Sequence, residues 1–128
     1  MKSAQNLALV VVASASLLTA HTAFAHAKLL KSSPSANEVV HAAPSEVSLH
    51  FSEELEVAMS KLEVKNSKTG EVVSQGAVSQ NPDDKASLKI ALKPLKKPKA
   101  VYEVTWKAVA KDAHKMPGHM SFTFDPKN

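Results

Sequence analysis

The sequence predicts an all-β domain: one Greek-key β-sandwich or barrel of Ig-like type, with about seven strands, behind a cleaved leader. Three observations carry that expectation. Apolar residues recur at every second position instead of every 3.6. Clusters of Pro, Gly, Ser and Asn interrupt those runs at short intervals. Beyond the leader there is no helical stripe and no internal repeat.

The leader comes first in the chain. Lys2 supplies a positive start, Leu7 to Leu18 (LALVVVASASLL) is a 12-residue, almost wholly apolar run, and Ala23-Phe24-Ala25 has the small-x-small pattern of a signal-peptidase site. Crossing a bilayer takes about 20 residues, so the run is too short for an anchor. The expectation is a signal peptide over 1–25, cleavage after Ala25, export to the periplasm or its equivalent, and a domain over 26–128. Loss of Lys2 would lower the formal charge from +4 to +3. That value implies solubility and no polyanionic partner.

The strands follow in order. Val47, Leu49 and Phe51 alternate with polar neighbours, and so do Leu55, Val57 and Met59, which places Met59 on an inward strand position. The phase slips near Ser60 and resumes at Leu62 and Val64. Leu88, Ile90 and Leu92 form another face. Tyr102, Val104, Trp106, Ala108 and Ala110 form the longest one, with Trp106 as a core anchor. Met120, Phe122 and Phe124 close the chain. Turns are expected at Ser33-Pro34-Ser35, Ala43-Pro44-Ser45, Lys68-Thr69-Gly70, Asn81-Pro82-Asp83 and Lys115-Met116-Pro117-Gly118. Ser67 to Gly70 lies between LEV and EVV and reads as a hairpin connection. The stretch Lys93 to Lys99, KPLKKPK, reads as a solvated loop, with a docking patch as its alternative.

Composition removes several classes of function. There are no cysteines, so disulfides, zinc ribbons, iron–sulfur clusters and thiol catalysis are excluded. Three glycines leave no P-loop and no Gly-rich dinucleotide fingerprint. All 16 basic residues are Lys, and the arginine forks that grip phosphate are absent, which argues against nucleic acid as a partner. No G-x-S-x-G is present, so a serine hydrolase of that type is not indicated.

Histidines then become the focus. His114 stands two residues after Asp112, at the end of the longest strand. In extended backbone these side chains share a side. The pair reads either as a polar loop in which Asp orients His or as half of a metal site. His26 adds weight to the second reading. As a mature N-terminus it would offer an α-amine and an imidazole in one chelate. Two nitrogens from His26, one from His114 and an oxygen from Asp112 make an N3O set, which suits Cu(II) or Ni(II), and the Irving–Williams order favours copper.

These residues also carry a resemblance to a known family. The start His26-Ala27-Lys28-Leu29 with Ser33-Pro34, then Ala42-Ala43-Pro44, Leu49-His50-Phe51-Ser52-Glu53 with Leu55, Tyr102, Val104 to Trp106, Asp112, His114, Gly118 and Phe122 resemble the CopC family of exported copper-binding proteins. The resemblance implies a Greek-key β-sandwich or barrel and a Cu(II) site made by the amine and imidazole of His26 with Asp112 and His114. In some relatives a glutamate at the position of Glu53 lies at or near the copper; an ordinary exposed carboxylate is the alternative, and Glu54 stands beside it. It also implies a copper-transporting membrane partner and a periplasmic carrier or buffer, not an enzyme. Nothing in the sequence asks for an obligate dimer.

Two departures from the family pattern matter. Many relatives have a methionine-rich loop for Cu(I), whereas Val64 to Val73 here contains no methionine. Cu(I) prefers sulfur ligands, so a Cu(II)-only member is expected. The family often has Pro directly after the D-x-H histidine; here Lys115 follows, and the proline is Pro117. Met116 and His119 near His114 raise an accessory copper or silver site, against ordinary loop residues; Met120 keeps the phase of the core. His41 is expected to bond a hydroxyl or carbonyl. His50 lies on the face opposite Val47, Leu49 and Phe51, as a structural group or a hydrogen-bonding neighbour of the copper site. Two other classes stay open: an oxidative copper enzyme of the histidine-brace type, and an Ig-like interaction module without metal. A chain with only 5% aromatic residues offers little stacking surface for a polysaccharide.

Overall fold

The computed structural model describes residues 28–127, so the leader, its cleavage site and His26 lie outside the described residues. Eight strands are described: β1 Leu29–Ser33, β2 Val39–Val40, β3 Glu46–Phe51, β4 Lys61–Asn66, β5 Ser74–Asn81, β6 Asp84–Leu92, β7 Ala100–Val109 and β8 Lys115–Phe124. They form two four-stranded sheets, ordered β1-β3-β6-β5 and β2-β8-β7-β4. Strand pairs are antiparallel except β2 with β8. The expected sandwich is therefore what forms.

Period-two alternation explains the core. Val47, Leu49 and Phe51 of β3 and Leu88, Ile90 and Leu92 of β6 face inward from one sheet. Leu62 and Val64 of β4, Tyr102 to Ala108 of β7 and Met120 to Phe124 of β8 meet them from the other. Each fully buried side chain of this size contributes about 1.5–3 kcal/mol. Phe51 and Trp106 join the sheets edge to face, with centroids 6.2 Å apart and planes at 74°.

Two expectations at the element level are corrected. Residues 57–59 do not continue a strand. Leu55 makes one bridge to Ala110, Val57–Met59 winds into a single 3₁₀ turn, and Met59 is 57% exposed instead of inward. The cause is Ser60: its buried hydroxyl donates to the Glu56 carbonyl (2.8 Å) and accepts the Val109 N–H (3.0 Å), which rewards a turn. Second, Pro117 and Gly118 are inside β8, not in a turn. Pro117 pairs with Lys107 where β2 does not cover the far side of β8, a place that tolerates a missing N–H. Gly118 lies under the Trp106 indole, where a Cβ would come 2.4 Å from a ring carbon. The 67–70 turn closes a short hairpin, as the sequence predicts, with Lys65 bridging Val72. Asn66 N–H donates to Glu71 O (2.8 Å), after which the chain crosses to the other sheet as β5. β1, β2 and β5 carry too few apolar residues to show alternation, so the sequence gives them no strand signal.

The sandwich has two unlike ends. β7 begins at Ala100, beside the 93–99 connection, and finishes at Val109, beside Asp112 and His114. Ten strand residues separate these ends by about 30 Å.

Candidate metal centre

The site end is built by one segment, residues 52–56, which leaves β3 and grips two distant parts of the chain. On one side it holds the start of the described chain. Lys28 N–H donates to Ser52 Oγ (2.9 Å), and Ser52 N–H donates back to the Lys28 carbonyl (2.9 Å). On the other side it runs along the end of β7. Lys111 N–H donates to Glu54 O (3.1 Å), Glu56 N–H donates to Val109 O (2.7 Å), and Leu55 bridges Ala110 from a buried position. The β5–β6 hairpin braces it from outside, with Leu55 N–H donating to Lys85 O (3.0 Å) and the Gln80 amide donating to Leu55 O (3.2 Å).

Asp112 and His114 sit on the turn from β7 into β8. Ala113 N–H donates to Ala110 O and Ala110 N–H to His114 O, each at 2.9 Å. Ala113 takes φ +72°, the left-handed region. A side chain there costs roughly 1–2 kcal/mol, and such strain concentrates at functional positions. Asp112 and His114 do come together, as the spacing predicts, but this turn brings them together and not the extended backbone assumed from the sequence.

Their geometry is defined. Asp112 Oδ2 lies 2.7 Å from His114 Nδ1, and Asp112 Oδ1 accepts the His114 N–H at 3.1 Å. The hydrogen bonds to His114 hold the Asp112 carboxyl below the usual carboxylate range, with the imidazole bond as the largest cause. A carboxylate only accepts, so Nδ1 donates in this bond, and Nε2 is the ring nitrogen that Asp112 does not engage. Both side chains are open to solvent, 66% for His114 and 58% for Asp112. Next to them Lys111 pairs with Glu56 at 3.0 Å. That hydrogen bond and charge raise the Lys111 ammonium pKa, with Glu54 adding to the effect.

The other candidates fall as follows. Glu53 is half-buried on the 52–56 segment, next to Ser52 and its clasp with Lys28. Among the described residues no group of three or more His, Cys, Asp or Glu is placed to hold a metal ion, so Asp112 and His114 stand there as a pair. His50 faces outward as expected, and its partner is Asp84, with Nδ1 to Oδ2 at 2.6 Å. Sequence reasoning missed Asp84; the signal was its position at the tip of a Pro-Asp hairpin opposite β3. His41 bonds the Asp125 carbonyl through Nδ1 at 2.8 Å, as expected. The accessory Met116–His119 site does not form. Met116 is 6% exposed and faces the core, while His119 is exposed on the outer face, because odd and even positions of β8 point to opposite sides. Met120 belongs to the core.

Comparison with known proteins agrees with this architecture. Residues 29–125 match the model of the CopC domain family. Copper transport protein CutJ of Bacillus subtilis is 34% identical over 102 residues, which cover 80% of this chain but only 18% of CutJ, so the chain spans less than a fifth of that relative. Copper resistance protein C of Escherichia coli is 36% identical over 115 residues, 81% of this chain and 85% of the relative. The crystal structure of CopC from Methylosinus trichosporium OB3b superposes with a TM-score of 0.71 at 30% identity, over 80% of this chain and 97% of that one. Among the described residues no helix is long and apolar enough to cross a membrane. With a family match across almost the whole described domain and the same two-sheet fold, the chain belongs to the CopC family of copper resistance proteins.

Proposed function

We propose that the chain is an exported Cu(II) carrier or buffer. Its site would combine the α-amine and imidazole of His26, the imidazole of His114 and the carboxylate of Asp112, with Glu53 at the edge. The observation that carries this reading is the double grip of residues 52–56. Ser52 holds Lys28, and Glu54 and Glu56 hold Lys111 and Val109. Two residues of chain reach about 7 Å. A chain cut after Ala25 would therefore start within that distance of Lys28, at the end of the sandwich that carries Asp112 and His114.

The chemistry follows from the donor set. Three nitrogens and one carboxylate oxygen favour a tetragonal Cu(II) ion. If His114 ligated through Nε2, Asp112 could not keep its Nδ1 hydrogen bond and ligate the same ion, so coordination would require the carboxylate to give up that bond. Asp112 is held ionised, so its ligation displaces no proton. The amine and imidazole must give theirs up, which makes capture weaken as pH falls. No methionine lies between Val64 and Val73, so no Cu(I) site is proposed. The cargo would pass to another exported or membrane copper protein. The copper-transport name of the much longer CutJ chain supports such a partner.

The test is a Cu(II) titration against a competing chelator at neutral pH. It compares a form starting at His26 with one carrying a single extra residue before it. The extension removes the amine–imidazole chelate and spares every other side chain. The expected result is a loss of at least about 100-fold, two decades being about 2.7 kcal/mol. Equal affinity in the two forms would overturn the reading.

A further inference from the structure

The end of the sandwich opposite Asp112 and His114 carries a groove of about 1280 Å³ between the 93–99 connection and the 66–71 turn. Its floor is apolar, formed by the buried Leu95, Val73 and the Tyr102 ring. The exposed Pro94, Pro98 and Val101 extend that apolar lining outward. Its rim is cationic, with Lys68 on the turn and Lys93, Lys96, Lys97 and Lys99 on the connection. Among the described residues lining it, Glu71 is the one carboxylate. Lys99 has a long ion pair with Asp125 at 3.7 Å, and the Lys93 ammonium reaches the Val72 carbonyl at 3.5 Å.

We infer that this groove docks an acidic segment of a partner protein, an extended chain rich in Asp and Glu with one apolar side chain for the Leu95–Tyr102 floor. Charge complementarity selects the sign of the occupant. Concavity selects its shape, since a trough between two connections admits a peptide and a flat bilayer does not. The rim is all Lys and no Arg. Hydrated point charges steer an acidic partner without the forked grip that suits phosphodiesters. Two prolines limit the freedom the connection would lose on binding. Such contacts are weak, fast and salt-dependent. The distance of about 30 Å along β7 leaves Asp112 and His114 uncovered while the partner is held.

The test uses the chain as exported and a fluorescent peptide of about 12 residues, Asp/Glu-rich with one central Phe, at low ionic strength where surface charges are poorly screened. Saturable binding is expected, with amide shifts confined to residues 66–71 and 93–102. The charge reversals Lys68→Glu and Lys96→Glu together should weaken it at least about tenfold, as should raising salt to about 0.5 M. The same charge change on the outer sheet face, Lys61→Glu with Lys107→Glu, should cost less than about threefold. Unchanged Cu(II) affinity in both pairs reports intact folding. No saturable binding, an equal loss in the two pairs, or capture by phosphatidylglycerol vesicles in preference to the peptide would each overturn the proposal.

Discussion

His114–Asp112 and His50–Asp84 are the same contact in two places. In each, a carboxylate Oδ2 lies 2.6–2.7 Å from an imidazole Nδ1. The supports differ. His50 is on β3, paired in register with Lys31 and Ser87, and its side chain is 43% exposed against 31% for Asp84. Asp84 closes a hairpin and accepts the Ala86 N–H, so this pair fastens the β5–β6 hairpin to β3. His114 and Asp112 sit on a turn held by a left-handed alanine, with most of each side chain in water. An Asp–His hydrogen bond by itself therefore does not mark out a metal site; the copper proposal for Asp112 and His114 rests on their greater exposure and on the reach of His26 from Lys28.

The comparison can be broken or sharpened by substitution. The largest effect is expected for His114→Ala, a loss of about 100-fold or more in Cu(II) affinity, read by chelator competition. The apo-protein's melting temperature should barely move, because the side chain is mostly exposed. Asp112→Asn should cost about tenfold, since the neutral amide is a poorer ligand than the carboxylate. It should also change the acid limb of stability. The Asp112 carboxyl is lowered by its bonds to His114, so its contribution is present above the ordinary carboxylate range and is lost as pH falls through its own lowered range, below about pH 4. Following that carboxyl by NMR in the native chain, and acid unfolding in the variant, checks the sign.

His50→Ala should leave copper affinity within about threefold and instead lower stability by about 1 kcal/mol, through loss of the bond to half-buried Asp84. A copper loss equal to that of His114→Ala would mean the two pairs belong to one site. The smallest effect is expected for Ala113→Gly. Glycine adopts φ +72° freely, so unfolding stability should rise by up to about 1 kcal/mol. Copper affinity should fall a fewfold as the turn loosens, and denaturant melts alongside titration separate the two.

Much of the sandwich is legible in the sequence. β3, β6, β7 and the second half of β8 announce themselves because one face of each is buried. β5 does not, because Ser74 to Asn81 is an edge strand with few buried side chains. Val57 and Met59 keep the strand period and still wind into a turn, because Ser60 and Leu55 bind the end of β7. Pro117 and Gly118 read as a turn and lie in a strand, one tolerated by an uncovered strand side and the other required by the Trp106 ring. In the candidate site, Asp112 and His114 are legible from their spacing, whereas the left-handed Ala113 that converges them is not. Alanine carries no local preference for that conformation.

By itself the sequence determined which side chains of β3, β6, β7 and the second half of β8 face the core, because alternation along a strand is local geometry that two neighbouring residues already decide. It also determined that the chain holds imidazoles and carboxylates and no thiols. Only the tertiary structure decided that residues 52–56 grip Lys28 on one side and Lys111 on the other. It also set His50 against Asp84, and left Met116 and His119 on opposite faces. Those outcomes depend on which strands become neighbours and in what register. That is a property of pairing across tens of residues, and no short window of sequence contains it.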